Sequence, residues 1–169
     1  MKIIRGGIVS NIKIISGLEH LSDVVELFDE YKEEKGIDFS FQPVDETEEE
    51  IAKRYSEPLG KIYIAFVDGQ AAGVIAFHPM EDKNDCEFKR LFVRPNFRGL
   101  HLGNILLEHA INEAKSIGYR TIYLDTLSTL KPACHMYERF GFERIDAYYY
   151  NPLPDVIYYR LNLEKANKK

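Results

Sequence analysis

Glu87-Phe-Lys-Arg-Leu-Phe-Val-Arg-Pro-Asn-Phe-Arg-Gly-Leu-His-Leu-Gly-Asn-Ile-Leu-Leu107 decides how this chain is read. Its first part has the β-branched and aromatic character of a strand and stops at Arg94-Pro95; its last part has helical spacing. Between them lies a tight loop holding Gly99 and Gly103. A strand that enters a helix through such a loop is an anion site, because the first helical N–H groups have no partner inside the helix and the dipole adds positive potential. Arg98 adds a charge-assisted donor. Turn chemistry alone would also place glycines here, so the segment needs company before it names a ligand.

Two phosphate loops are excluded by spacing. No Gly-Lys-Ser/Thr follows, so there is neither a lysine for terminal phosphates nor a hydroxyl for magnesium. The three-glycine dinucleotide fingerprint is also missing, and the segment lies well inside the chain. A diphosphate held without a metal fits best.

Outward from this segment, Arg120–Asp125 reads as the next strand and Pro132–Phe140 as a short helix. Phe142–Tyr150 and Val156–Leu163 follow as the last strands. Upstream, Lys61–Val67 and Ala71–Phe77 form a hairpin on Asp68-Gly69, and Asp85–Val93 is the strand after it. Leu21, Val24, Val25, Leu27, Phe28 and Tyr31 recur at helical spacing between Glu19 and Lys35, with Gly36 as the stop. A second helix is expected to start at Asp45 as cap, with Glu48 to Glu50 in its first turn. Asn11–Ser16 alternates like a strand, and residues 1–11 are left as a loose arm or an extra edge strand. The order is β-α-α-β-β-β-α-β-α-β-β.

The 169 residues are 45% hydrophobic and 12% aromatic, which suits one compact domain running from 1 to 169, with a biased tail at 164–169. A net charge of -5 argues against a nucleic-acid or anionic-membrane surface. Without an apolar run of ~20 residues or a leader pattern, the expected place is the cytoplasm. Cys86 and Cys134, the two cysteines, read as reduced, part-buried thiols. No cluster has metal-ligand spacing, so no metal is expected. Asp125, Ser128 and His135 make a hydrolase triad only on paper, since no nucleophile elbow accompanies them.

Arg98-Gly-Leu-His-Leu-Gly103 resembles the Arg/Gln-x-x-Gly-x-Gly/Ala signature of the GNAT superfamily of acyl-CoA-dependent N-acyltransferases, with His101 in place of the inner glycine. Histidine tolerates positive φ better than most residues. Ala133-Cys-His-Met-Tyr-Glu-Arg-Phe-Gly-Phe142 resembles that family's second block, although Leu130 stands where many members carry asparagine. The resemblance spans about Ile12 to Leu163, and Arg90-Leu-Phe-Val-Arg-Pro with Tyr150-Asn-Pro-Leu-Pro is similar to a subgroup of unassigned substrate.

The resemblance implies an α+β fold: a twisted mixed sheet of six to seven strands with helices on both faces, splayed between the strand ending at Val93 and the strand at Tyr123–Asp125. Pantetheine would lie in the gap beside Phe92 and Thr126, its amides paired with backbone groups of Leu91 and Val93, and would pass His135 and Tyr137. A bulge near Lys89-Arg90 would aim the Leu91 amide at the thioester oxygen. Amides of Arg98, Gly99, Leu100, His101, Leu102, Gly103 and Asn104 would take the diphosphate. The implied reaction is acetyl transfer from acetyl-CoA to an amine of a small molecule. A protein or peptide acetyltransferase and a non-catalytic acyl-CoA sensor are the alternatives, and the resemblance also allows a homodimer.

For a lysine-like amine, neutrality at pH 7 lies ~3.4 pKa units away, about 4.6 kcal/mol, whereas a thiol of pKa ~8.5 needs only about 2 kcal/mol. A base therefore matters more than an acid. Glu87, six residues before Val93, matches the position of a family base acting directly or through water; a solvated ion pair with Lys89 is the plain alternative. Tyr137 matches the family tyrosine that donates to the CoA sulfur. Tyr148, Tyr149, Tyr150, Phe39 and Phe41 would wall the acceptor pocket, and the acids at Glu46–Glu50 would draw a cationic, polyamine-like acceptor unless they are simply a solvated helix start.

Overall fold

The computed structural model describes residues 1–36 and 45–166. Strands β1 (Lys2–Arg5) and β2 (Ile8–Ser16) form a hairpin, followed by helices α1 (Leu21–Lys35) and α2 (Glu48–Arg54). Strands β3 (Lys61–Val67), β4 (Gln70–Pro79) and β5 (Asp85–Val93) lead to α3 (Leu102–Ile117). Strand β6 (Thr121–Leu127), helix α4 (Lys131–Arg139), strands β7 (Glu143–Ile145) and β8 (Val156–Asn162), and a last turn α5 (Leu163–Ala166) complete the chain. Phe39 and Phe41 lie outside the described residues.

The eight strands form one sheet in the order β1-β2-β3-β4-β5-β6-β8-β7. Every neighbouring pair is antiparallel except β5 with β6. Period-two alternation explains the two cores. Ile62 and Ile64 of β3 face α1 and α2, where Val24, Leu27, Phe28, Ile51 and Tyr55 are buried. Tyr63 and Ala65 face the other way, onto Leu102, Leu106, Leu107 and Ala110 of α3 and Met136 and Tyr137 of α4.

Three expectations need correction. The sheet has eight strands, because residues 1–11 are neither loose nor a single edge strand: Gly6 and Gly7, at φ 55 and 81, make a two-residue turn and give a hairpin. The cap of α2 is Thr47, whose hydroxyl accepts from the Glu50 amide. Asp45 is instead buried, 1% exposed, accepting from Tyr55 Oη at 3.2 Å and Arg90 Nη2 at 3.3 Å with Lys32 Nζ 3.6 Å away. Lastly, β7 ends at Ile145, and Tyr148 to Tyr150 belong to the loop before β8. The hydroxyls of Tyr148 and Tyr149 have partners on β5 and β6 that a strand running beside β8 would not bring within reach.

Removing one member of a buried ion pair leaves the other charge without compensation, which destabilises by roughly 3–5 kcal/mol. Asp45→Ala is therefore expected to lower the unfolding free energy at pH 7 by about that amount. Urea unfolding measures it; a loss under ~1 kcal/mol would mean that Arg90 is solvated rather than held by Asp45.

Candidate active site

Parallel strands β5 and β6 pair over three positions, Asp85↔Thr121, Cys86↔Ile122 and Glu87↔Tyr123, and then separate. The cause is on the other side of β5. Val74 faces Phe92 while Ala76 faces Lys89, so Arg90 and Leu91 together stand opposite Ile75. This bulge puts Arg90 at φ 60 and turns the strand away from β6. Meanwhile β6 stays paired with β8 as far as Leu127.

The resulting wedge is a cavity of about 180 Å³. Leu91, Phe92 and Val93 line one wall and Leu124 to Leu127, Thr126 included, the other; Leu107 and Gly103 of α3 and Met136 and Tyr137 of α4 also contribute. Burial pushes the Tyr137 phenol well above its ordinary pKa, so it remains a donor at neutral pH. His135 is exposed on α4 and is not part of the lining.

Beyond Val93 the chain makes a single 3-10 turn at Pro95–Phe97 and enters α3 through Gly99 at φ 90 and His101 at φ 61. His101 holds the left-handed conformation that a glycine would otherwise take. Its side chain makes no capping hydrogen bond, which leaves the first turn of α3 without a side-chain acceptor. Leu102 anchors that turn in the core, Leu100 is half-buried and Asn104 is met by Arg139 Nη2 at 3.5 Å. Arg98 is already engaged. Its guanidinium donates to both carboxylate oxygens of Glu34, at 2.8 and 2.6 Å, and to the Val93 carbonyl at 3.1 Å, while its amide donates to the Pro95 carbonyl.

Glu87 does not lie in the cavity wall, and its pair with Lys89 is buried rather than solvated, each residue being 7% exposed. Oε1 takes His78 Nε2 at 3.0 Å and faces Lys89 Nζ at 3.4 Å; Oε2 accepts from Tyr148 Oη at 2.5 Å. Lys89 Nζ continues to Asp125 Oδ1 at 3.5 Å, and Asp125 Oδ2 accepts from the Tyr149 hydroxyl and from Asn151 Nδ2 at 2.8 Å. Lys89, Asp125 and Asn151 do line the cavity. A buried polar chain thus links Glu87 to the wedge. Tyr150 takes no part, being 85% exposed. The linking role of Lys89 and Asp125, and the presence of His78 and Asn151, were not legible in the chain, because His78 arrives by the β4–β5 register, Asp125 from across the split sheet and Asn151 from the loop before β8. The one signal available was the Tyr-Tyr-Tyr-Asn run.

The profile of the acetyltransferase (GNAT) family matches residues 24–142. An uncharacterized N-acetyltransferase of Schizosaccharomyces pombe is 41% identical over 159 residues, covering 92% of this chain and 98% of that protein. Among solved structures, a GNAT-family acetyltransferase of Staphylococcus aureus superposes with a TM-score of 0.74 at 25% identity, over 90% of this chain and 99% of that one. An acetyltransferase of Salmonella typhimurium, solved with acetyl-CoA, shares the fold at a TM-score of 0.73 and 16% identity, over 90% and 94% of the two chains.

The surroundings of Glu87 carry a pH signature. Burial raises its pKa, but the His78 hydrogen bond, the Lys89 ammonium and the Tyr148 hydroxyl outweigh it and hold the carboxyl at about 2 against an ordinary 4.5. Stability from a depressed carboxyl is complete above the unfolded value and is lost as pH falls toward the folded one. The window is therefore pH ~4.5 to ~2, and the loss is about 3 kcal/mol. Glu87→Gln should melt well below wild type at pH 7 and level with it near pH 2, as scanning calorimetry would read. Parallel curves at all pH values would refute the network.

Proposed function

The chain belongs to the acetyltransferase (GNAT) family, and on that footing we propose that it acetylates a primary amine of a small molecule, drawing the acetyl group from acetyl-CoA by direct attack in a ternary complex. The observation that carries this reading is the wedge between β5 and β6 that runs out into an uncapped helix start. An extended thiol arm fits the first, and a diphosphate fits the second. The acetyl-CoA held by the Salmonella typhimurium neighbour supports the same donor.

Bound there, acetyl-CoA supplies an acyl group already activated as a thioester. The chain's own part is orientation and charge. Leu91 and Val93 turn backbone toward the gap, Phe92 and Thr126 border it, and the Leu91 amide next to the bulge polarises the acyl oxygen. Amides from Gly99 to Asn104 receive the diphosphate. Arg98 serves the loop by tying it to α1 through Glu34. Tyr137 holds a proton for the departing sulfur.

Glu87 works at a distance. A carboxylate of pKa about 2 is a weak base, and holding a proton on it at pH 7 costs about 7 kcal/mol. Its role is electrostatic: with Asp125 it holds Lys89 in place beside the cavity, while the acceptor enters as the neutral amine and gives up its surplus proton to solvent water. Tyr149 and Asn151 close over Asp125 on the acceptor side, and this enclosure favours a small amine over a peptide. The acids at Glu46–Glu50 sit at the start of α2 and do not line the cavity, so they carry no argument for a polyamine.

Two outcomes follow. Tyr137→Phe should lower kcat by at most about 30-fold, the ~1.5 units that separate a thiol from pH 7, with KM for acetyl-CoA changed by less than about threefold. Steady-state kinetics decides, and an unchanged kcat removes the acid from Tyr137. Because Glu87 stays ionised throughout the assay range, the acidic limb of the pH–rate profile should move with the pKa of the amine supplied. A limb fixed across an amine series would assign the proton to an enzyme group instead.

A further inference from the structure

The turn of the β1–β2 hairpin reaches the loop that opens α3. A methyl group built on Gly99 would run into Arg5 Nη1, and would lie 3.1 Å from Arg5 Cζ and 3.3 Å from Nη2. The hairpin that delivers Arg5 is anchored. β1 pairs with β2 at four positions, the Met1 ammonium donates to the Ile12 carbonyl at 2.8 Å, and Ile3 packs on the larger core.

The arginines belonging to the loop itself are committed elsewhere. Arg94 is bound by Glu26 and Glu30 at 2.9 and 2.6 Å, and Arg98 by Glu34 at 2.6 Å, so a stripe of acids at i, i+4 and i+8 on α1 neutralises both. Arg5 has no such acid. It is exposed, and no carboxylate is paired with it among the described residues. It also stands near the positive end of the α3 dipole, where a cation is disfavoured unless an anion joins it.

We propose that the N-terminal hairpin is a wall of the donor site, with Arg5 supplying a guanidinium to the phosphates of CoA above Gly99. The planar fork of arginine suits two phosphate oxygens at once. This rests on reading the loop as the diphosphate site, and it adds a residue from an element lying before the Ile12–Leu163 span of the family resemblance. Recruiting the cation from β1 lets α1 keep Arg94 and Arg98 as structural ties.

Calorimetric titration of CoA into the full chain at low salt, comparing wild type, Arg5→Ala, Arg5→Lys and Lys2→Ala, tests the proposal together with steady-state kinetics on acetyl-CoA and on S-acetylpantetheine, which lacks the nucleotide phosphates. Arg5→Ala should raise the Kd for CoA about tenfold, the loss of one exposed charge-assisted hydrogen bond. It should also flatten the salt dependence of binding, with S-acetylpantetheine turnover unchanged. Arg5→Lys should recover part of the affinity, and Lys2→Ala, on the same strand, should bind like wild type. Equal Kd for Arg5→Ala and wild type overturns the proposal, as does an equal loss with S-acetylpantetheine, which would mean that the hairpin merely supports the fold. If wild type itself fails to bind CoA, the diphosphate reading falls and this proposal with it.

Discussion

Three rungs of parallel pairing between β5 and β6, and no more, are the constraint on which the rest of this molecule depends. A ladder continued to Val93 would fill the sheet and leave no cleft. It stops because β5 spends an extra residue against Ile75, which bends the strand at Arg90, while β6 is held straight by seven pairs with β8. Backbone groups that a central strand would normally satisfy are left facing a gap of extended shape. In the function proposed above, their partner is the amide-bearing arm of acetyl-CoA.

The bulge is held by charges that are costly to bury alone. Arg90 lies 5% exposed beneath α1, matched by Asp45, with its guanidinium 5.5 Å from the Tyr31 ring centre. On the opposite face, Lys89 lies between Glu87 and Asp125 and over the Tyr149 ring at 5.4 Å. Consecutive residues of one strand thus send opposite faces of the sheet a buried cation each, and each meets carboxylates there. Such pairs add little net stability, because desolvation offsets their attraction, but they penalise any arrangement that separates them. That is how a wedge with little backbone support keeps one shape.

The loop between β5 and α3 follows the same logic of committed and uncommitted charge. Acids on α1 take up Arg94 and Arg98, fixing the loop to the helix before it, and His101 completes the turn by accepting a left-handed backbone without capping α3. What remains facing outward is a row of amides and, from the far end of the chain, Arg5.

Local chemistry is legible in the amino-acid order, since periodicity depends on neighbours a few residues apart. Alternation at Lys61–Val67, the Asp-Gly turn, the spacing along α1 and α3 and the loop from Arg98 to Gly103 all reported the element they form, and the paired motifs reported the family. Where one residue's place depended on a distant partner, sequence order was silent. Asp45 looks like a helix cap because acids favour helix starts, yet a buried Arg90 claims it; Tyr148 and Tyr149 look like a strand because aromatics favour strands, yet Glu87 and Asp125 hold their hydroxyls. The sequence by itself determined most of the elements after the N-terminal hairpin, their order and the glycine-bearing loop before α3. Only the tertiary structure decided which buried charges meet, that Glu87 reaches the cleft through Lys89 and Asp125, and that Arg5 arrives beside Gly99, because an ion pair is set by distance in space and not by separation along the chain.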